Sequence, residues 1–100
     1  SIMVLIILNT MPIPSKAIRN AVMALQERER FNPKPMTKSG LLTARLIANG
    51  KLPKSRYGKV YSFLARTIAQ QNKNPTKRRL VAINGWGGKE MYNYLKNKRG

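Results

Sequence analysis

GLLTARLIANGKLPKSRYGKVYSFLAR, residues 40–66, decides how the rest of this chain is read. It predicts a helix, a tight turn and a second helix. Leu41, Leu42, Ala44, Leu46, Ile47 and Ala48 make the first segment apolar on most of its circumference, as in a buried helix. Asn49-Gly50 then supplies the left-handed stop on which helices commonly end. After Lys51-Leu52-Pro53 the second helix is predicted to start near Ser55. Its residues Tyr57, Val60, Tyr61, Leu64 and Ile68 are spaced by three and four into one apolar stripe. Arg56, Lys59, Phe63, Arg66, Gln70 and Lys73 form a second line at the same kind of spacing, so this helix carries a core face and a cationic face.

A line of lysines and arginines is ordinarily just a solvated surface. Solvated faces mix both signs of charge, however, whereas this 100-residue chain has 20 Lys+Arg against 3 Asp+Glu, a formal net charge of +17. That imbalance favours an anionic partner: nucleic acid, an anionic membrane or an acidic protein surface. The length suits one small domain, and 42% hydrophobic residues bury a modest core. With no Cys and no His, disulfides, thiolate or imidazole metal sites and nucleophile–histidine catalysis are excluded. There is no Asp, and the carboxylates are Glu27, Glu29 and Glu90. Glu27 and Glu29 lie two apart on a predicted helix and point in different directions, which argues against a paired acid and base or a two-metal site. The expectation is a protein that is not an enzyme and takes no cofactor or metal.

Outward from the central stretch, residues 2–8 form an apolar run rich in β-branched side chains. The run is far too short for a bilayer, which takes about 20 residues. No positive region precedes it and no small-residue cleavage pattern follows, so it does not read as a secretory signal, and synthesis in the cytoplasm is expected. It reads as a strand, although a run this short is also compatible with a buried turn of helix. Met11-Pro12-Ile13-Pro14 follows as a stiff, extended linker. Ser15 is the predicted cap of the next helix, with Ile18, Ala21, Val22 and Leu25 facing inward and Lys16, Arg19, Gln26, Glu27 and Arg30 outward. Asn32-Pro33-Lys34-Pro35 ends that helix, and Thr37 or Ser39 caps the next. Residues 70–79 read as a polar, basic loop whose end, Lys77-Arg78-Arg79, is the densest charge cluster. Leu80-Val81-Ala82-Ile83 is compatible with a short helix stopped at Asn84-Gly85, the preferred reading, or with a strand. Trp86-Gly87-Gly88-Lys89 opens a final helix with Met91, Tyr92, Tyr94 and Leu95 as its apolar or amphipathic positions. A phosphate loop is ruled out there because Ile83 and Glu90 stand where it needs Gly and Ser or Thr. The glycines instead suggest a backbone passing close to Trp86, with the indole plugging the core near Tyr57, Tyr61 or Leu64.

Ala44-Arg45, Ile47 and Ala48-Asn49-Gly50, then Leu52, Lys59 and Ser62-Phe63-Leu64-Ala65-Arg66, then Ala82 and Trp86-Gly87-Gly88, together resemble a small domain that recurs in tailed-bacteriophage proteins. Structural, head-assembly and polyvalent virion proteins carry it. The resemblance spans residues 14–98 and rests on the order and spacing of the motifs, none of which is specific alone. In place of the acid that usually follows Trp-Gly-Gly the chain has Lys89, and Ile83 replaces a usual Trp. The resemblance implies a virion context more than any mechanism.

The sequence thus predicts a mainly α fold: a bundle of four to five short helices over residues 15–100, preceded by an apolar arm and proline linker at residues 1–14. It predicts a non-enzymatic, head-associated phage structural protein, located in the virion. Arg56, Lys59, Arg66, Lys73, Lys77, Arg78 and Arg79 are the expected contacts to acidic capsid subunits or to packaged DNA without sequence preference. Ile2, Val4, Leu5, Ile6, Ile7 and Leu8 are expected to dock on a neighbouring subunit as an added strand, the other arrangement being pairing with residues 80–83 of the same chain. A ribosomal or nucleoid-type nucleic-acid-packing protein is the alternative, and an enzyme regulator that mimics a cationic partner is a third class.

Overall fold

The computed structural model describes residues 13–99, so the docking arm at Ile2, Val4, Leu5, Ile6, Ile7 and Leu8 lies outside the described residues. Among the described residues there are five α-helices and no strand. α1 is Ser15–Glu27 and runs on into a 3₁₀ turn, Arg28–Arg30; α2 is Lys38–Ala48. A second 3₁₀ turn, Lys54–Arg56, leads into α3, Tyr57–Lys73, followed by α4, Lys77–Gly85, and α5, Gly88–Arg99. This is the mainly helical class that the apolar spacing predicts.

The ends of α2 follow from local chemistry. Thr37 is its cap: the side-chain hydroxyl accepts from Gly40 N at 3.0 Å. At the other end Gly50 takes φ 68, and Gly50 N and Lys51 N donate to Ile47 O and Leu46 O, both at 2.9 Å. That pair of reversed bonds satisfies carbonyls the helix would leave open, and the left-handed residue it needs is cheapest as glycine. The helix is buried on one side only, through Gly40, Thr43, Ala44 and Ile47, and Leu42 is 49% exposed.

α1 departs from its predicted orientation. Its buried residues are Ala17, Ala21 and Ala24, while Ile18 and Leu25 are half-buried and Val22 is exposed. Two overlapping stripes satisfy the same spacing, and the smaller one faces inward because small side chains allow the close approach that α1 makes to α2 and α4. Ser15 does not cap α1; Pro14 stands at the cap position, and its carbonyl accepts from Ala17 N at 3.0 Å and Ile18 N at 3.2 Å. Ile13, read as linker, is buried in the core.

α4 is the hub: it packs against each of the other four helices. α2 and α3, consecutive in the chain, are not each other's main partners; both lean on α4. Ile47, Val60, Leu64, Met91 and Leu95 are fully buried around it, each contributing about 1.5 to 3 kcal/mol relative to exposure. The segment read as a basic loop is shorter than predicted. α3 continues to Lys73, and Lys77, Arg78 and Arg79 form the first turn of α4. Three cations at a helix N-terminus oppose its dipole, so the start is held by other means. The Thr76 hydroxyl accepts from Arg79 N at 3.1 Å. The Gln71 side chain brackets the Thr76 backbone, accepting from Thr76 N at 3.1 Å and donating to Thr76 O at 3.0 Å.

Trp86, Gly87 and Gly88 turn the chain from α4 into α5. Gly87 has φ 102 and Gly88 φ 71, and the Asn20 side-chain amide of α1 donates to Gly87 O at 2.9 Å. The glycines clear the way for Met91 and Asn20 rather than for the indole: a Cβ on Gly87 would stand 2.4 Å from Met91 Cβ, and one on Gly88 2.6 Å from Asn20 Nδ2.

Candidate anion-binding face and groove

α3 presents the predicted cationic line. Lys59, Arg66 and Lys73 are exposed and Arg56, just before the helix, is half-buried. No carboxylate occurs between Glu29 and Glu90, so α2, α3 and α4 carry none at all. The line is not continuous, because Phe63 in its middle turns inward and stacks on Trp86, ring centroids 4.0 Å apart at 25°. Arg56 and Lys59 therefore stand on one side of that stack and Arg66 and Lys73 on the other along the helix.

Three of the predicted contacts have internal partners. Arg78 donates through Nη1 to Pro33 O and places its guanidinium 5.8 Å from the Phe31 ring centroid. Arg79 donates through Nη1 to Asn74 O, and to Gln71 Oε1 at 3.4 Å. Lys59 Nζ lies 3.2 Å from Ser39 Oγ. The side chains of Arg56, Arg66, Lys73 and Lys77 have no ion pair or hydrogen-bond partner among the described residues. The carboxylates near α1 are spent locally: Glu29 on Lys34 at 2.8 Å and Arg28 at 3.2 Å, Glu27 beside Arg30 at 3.9 Å. The hydrogen bond from Lys34 holds the Glu29 carboxyl below the usual carboxylate range.

Trp86 is 5% exposed and belongs to the core, as expected, but its ring partner is Phe63. The tyrosines pair elsewhere: Tyr57 meets Tyr94 edge-on at 6.4 Å and Tyr61 stacks on Tyr92 at 5.3 Å. The Tyr57 hydroxyl is buried with no partner at hydrogen-bonding geometry; burial first, and the neighbouring Tyr94 second, push its pKa up. Over the Phe63–Trp86 stack lies a groove of about 380 Å³, lined also by Lys34, Pro35, Met36, Thr37, Gly40, Arg78 and Ala82. Met36 holds a φ of 81, rare outside glycine. The walls of this groove come from three separated segments, which no local pattern in the sequence connects; Phe63 interrupting a cationic line was the available signal.

Among the described residues no cluster of three or more His, Cys, Asp or Glu is placed to hold a metal ion, and no helix is long and apolar enough to cross a membrane. No family model, curated protein or solved structure matches this chain.

Proposed function

We propose that the protein is a non-enzymatic structural component of a tailed-phage virion, head-associated, that attaches to anionic surfaces through the cationic face of α3 and the start of α4. The carrying observation is the acid-free stretch between Glu29 and Glu90, which folds into three helices with Arg56, Lys59, Arg66, Lys73 and Lys77 turned outward or half-outward. The anion is an acidic patch of a capsid subunit or the phosphates of packaged DNA. The virion context rests on the motif resemblance, whose residues here are mostly turn and packing groups: Gly50, Phe63, Leu64, Trp86 and Gly87. They support a shared fold rather than a shared site. The arm at residues 2–8 is proposed to dock on a neighbouring subunit, since seven consecutive apolar residues gain more from burial than from water.

Salt titration tests the face. On duplex DNA, log affinity falls against log salt by roughly 0.9 for each phosphate neutralised. Replacing Arg56, Arg66 and Lys73 with Gln lowers that slope by about 3, whatever the DNA sequence. An unchanged slope, or salt-insensitive binding, refutes the assignment. Co-sedimentation of tagged protein with phage particles supports the virion setting; co-sedimentation with ribosomes transfers it to the nucleic-acid-packing class.

A further inference from the structure

The groove over the Phe63–Trp86 stack is bordered by a side-chain hydrogen-bond donor, the indole N–H. Trp86 is 5% exposed, yet among the described residues nothing accepts from its Nε1–H. That atom sits beside Gly40, 3.3 Å from where a Cβ there would stand. Gly40 belongs to the first turn of α2, so the indole faces the end of the helix from which the N–H groups of Lys38 and Ser39 emerge without acceptors among the described residues. The next two are already taken, Gly40 N by Thr37 Oγ1 at 3.0 Å and Leu41 N by Thr37 O at 2.8 Å. The N–H of a largely buried indole, still open to the groove, and the partial positive charge of a helix start thus border one groove. Lys34 and Arg78 line it. Glu29, on Lys34, is the single carboxylate bonded to any of these groups.

We propose that this groove binds the side-chain carboxylate of an acidic peptide segment on a partner protein. The inference rests on the anion-binding reading above and gives this groove, apart from the α3 face, a protein partner. A carboxylate oxygen accepts from the indole N–H, and the helix start and the Arg78 guanidinium offset its charge. The groove suits nucleic acid less well, because bases need an open aromatic face on which to stack and here Phe63 and Trp86 cover one another. Pro35, Met36 and Ala82 instead offer apolar walls to the methylenes and backbone that flank an acidic side chain.

Trp86 is the one tryptophan in the chain, so the single indole N–H cross-peak of a proton–nitrogen correlation spectrum reports on this groove. The probes are the acetylated, amidated peptide Ala-Leu-Glu-Leu-Ala, its counterpart with Gln in place of Glu, and oligothymidylate. The Glu peptide is expected to move the cross-peak saturably with a Kd below about 1 mM. The Gln peptide should bind about tenfold more weakly or worse, having lost a charge-assisted bond, and Arg78→Gln should weaken the Glu peptide several-fold. A cross-peak that stays in place, that answers both peptides equally, or that moves as far with oligothymidylate overturns the proposal, the last result making this a phosphate site. The variant with Gln at Arg56, Arg66 and Lys73 separates the two ideas: it keeps the indole response, while the salt slope of the DNA binding assigned to α3 falls by about 3. Unaltered DNA binding by that variant counts against the α3 face alone, and a silent cross-peak counts against the groove alone.

Discussion

Gly87→Ala and Gly58→Ala are the same chemical change, and the structure gives them opposite signs. At Gly87 the added Cβ meets Met91 Cβ at 2.4 Å, Met91 Cγ at 2.9 Å and Ala17 Cβ at 3.4 Å. Met91 is fully buried and its Cβ is fixed to the backbone of α5, so it has nowhere to swing. Overpacking of this kind costs about 1 to 3 kcal/mol. The backbone adds to it, since φ 102 lies where an L side chain is strained by roughly 1 to 3 kcal/mol. The sum is about 2 to 6 kcal/mol, against a total stability of about 5 to 15 kcal/mol for a domain of this kind. Gly58 lies in the first turns of α3, is exposed, and has nothing within 4 Å of a new Cβ. Ala there stabilises by about 0.4 to 1 kcal/mol, mainly by restricting the unfolded chain. Urea unfolding followed by far-ultraviolet circular dichroism measures both, and each kcal/mol shifts Tm by about 4 to 8 °C at this size. Two variants within about 0.5 kcal/mol of each other would show that the Gly87 turn relaxes around a side chain, and the account of the α4–α5 junction would be wrong.

Trp86→Ala should cost about 3 to 5 kcal/mol by removing a buried indole and its stack on Phe63; chemical denaturation checks it, and an equally stable variant would place the indole outside the core. Thr76→Ala should cost about 1 kcal/mol, because the cap of α4 holds a first turn crowded with Lys77, Arg78 and Arg79, and the loss should shrink in salt, as the repulsion it resists is screened. Tyr57→Phe is expected to leave stability unchanged or raise it by up to about 1 kcal/mol, since the hydroxyl it deletes is buried and has no partner at hydrogen-bonding geometry among the described residues. The same variant bears on alkaline behaviour. A Tyr57 pKa raised on folding gives stability that is present below the unfolded value of 10.0 and lost as pH rises through the folded one. The wild type should therefore lose more stability than Tyr57→Phe above that pH, and parallel curves would contradict the assignment.

The sequence by itself determined the helical class, the Asn49-Gly50 stop, a cap at Thr37 or Ser39, the apolar stripe of α3 and the burial of Trp86; the structure chose Thr37. These are local matters: a left-handed residue, a hydroxyl ahead of a helix, a spacing of three and four. It also determined the charge, on which the proposed anionic partner rests. Only the tertiary structure decided which of two stripes on α1 faces inward, because spacing treats Ile18 and Ala17 alike and the choice falls to the closeness of α2 and α4. It alone made α4 the hub. A helix touched on several sides has no single apolar stripe, and its buried residues, Val81, Ile83 and Gly85, alternate in sequence as a strand's would. The groove lay equally out of reach of the sequence, because Gly40, Phe63 and Trp86 meet only when three helix segments pack, and it is that packing, not any neighbour in the chain, that sets the indole N–H beside the first turn of α2.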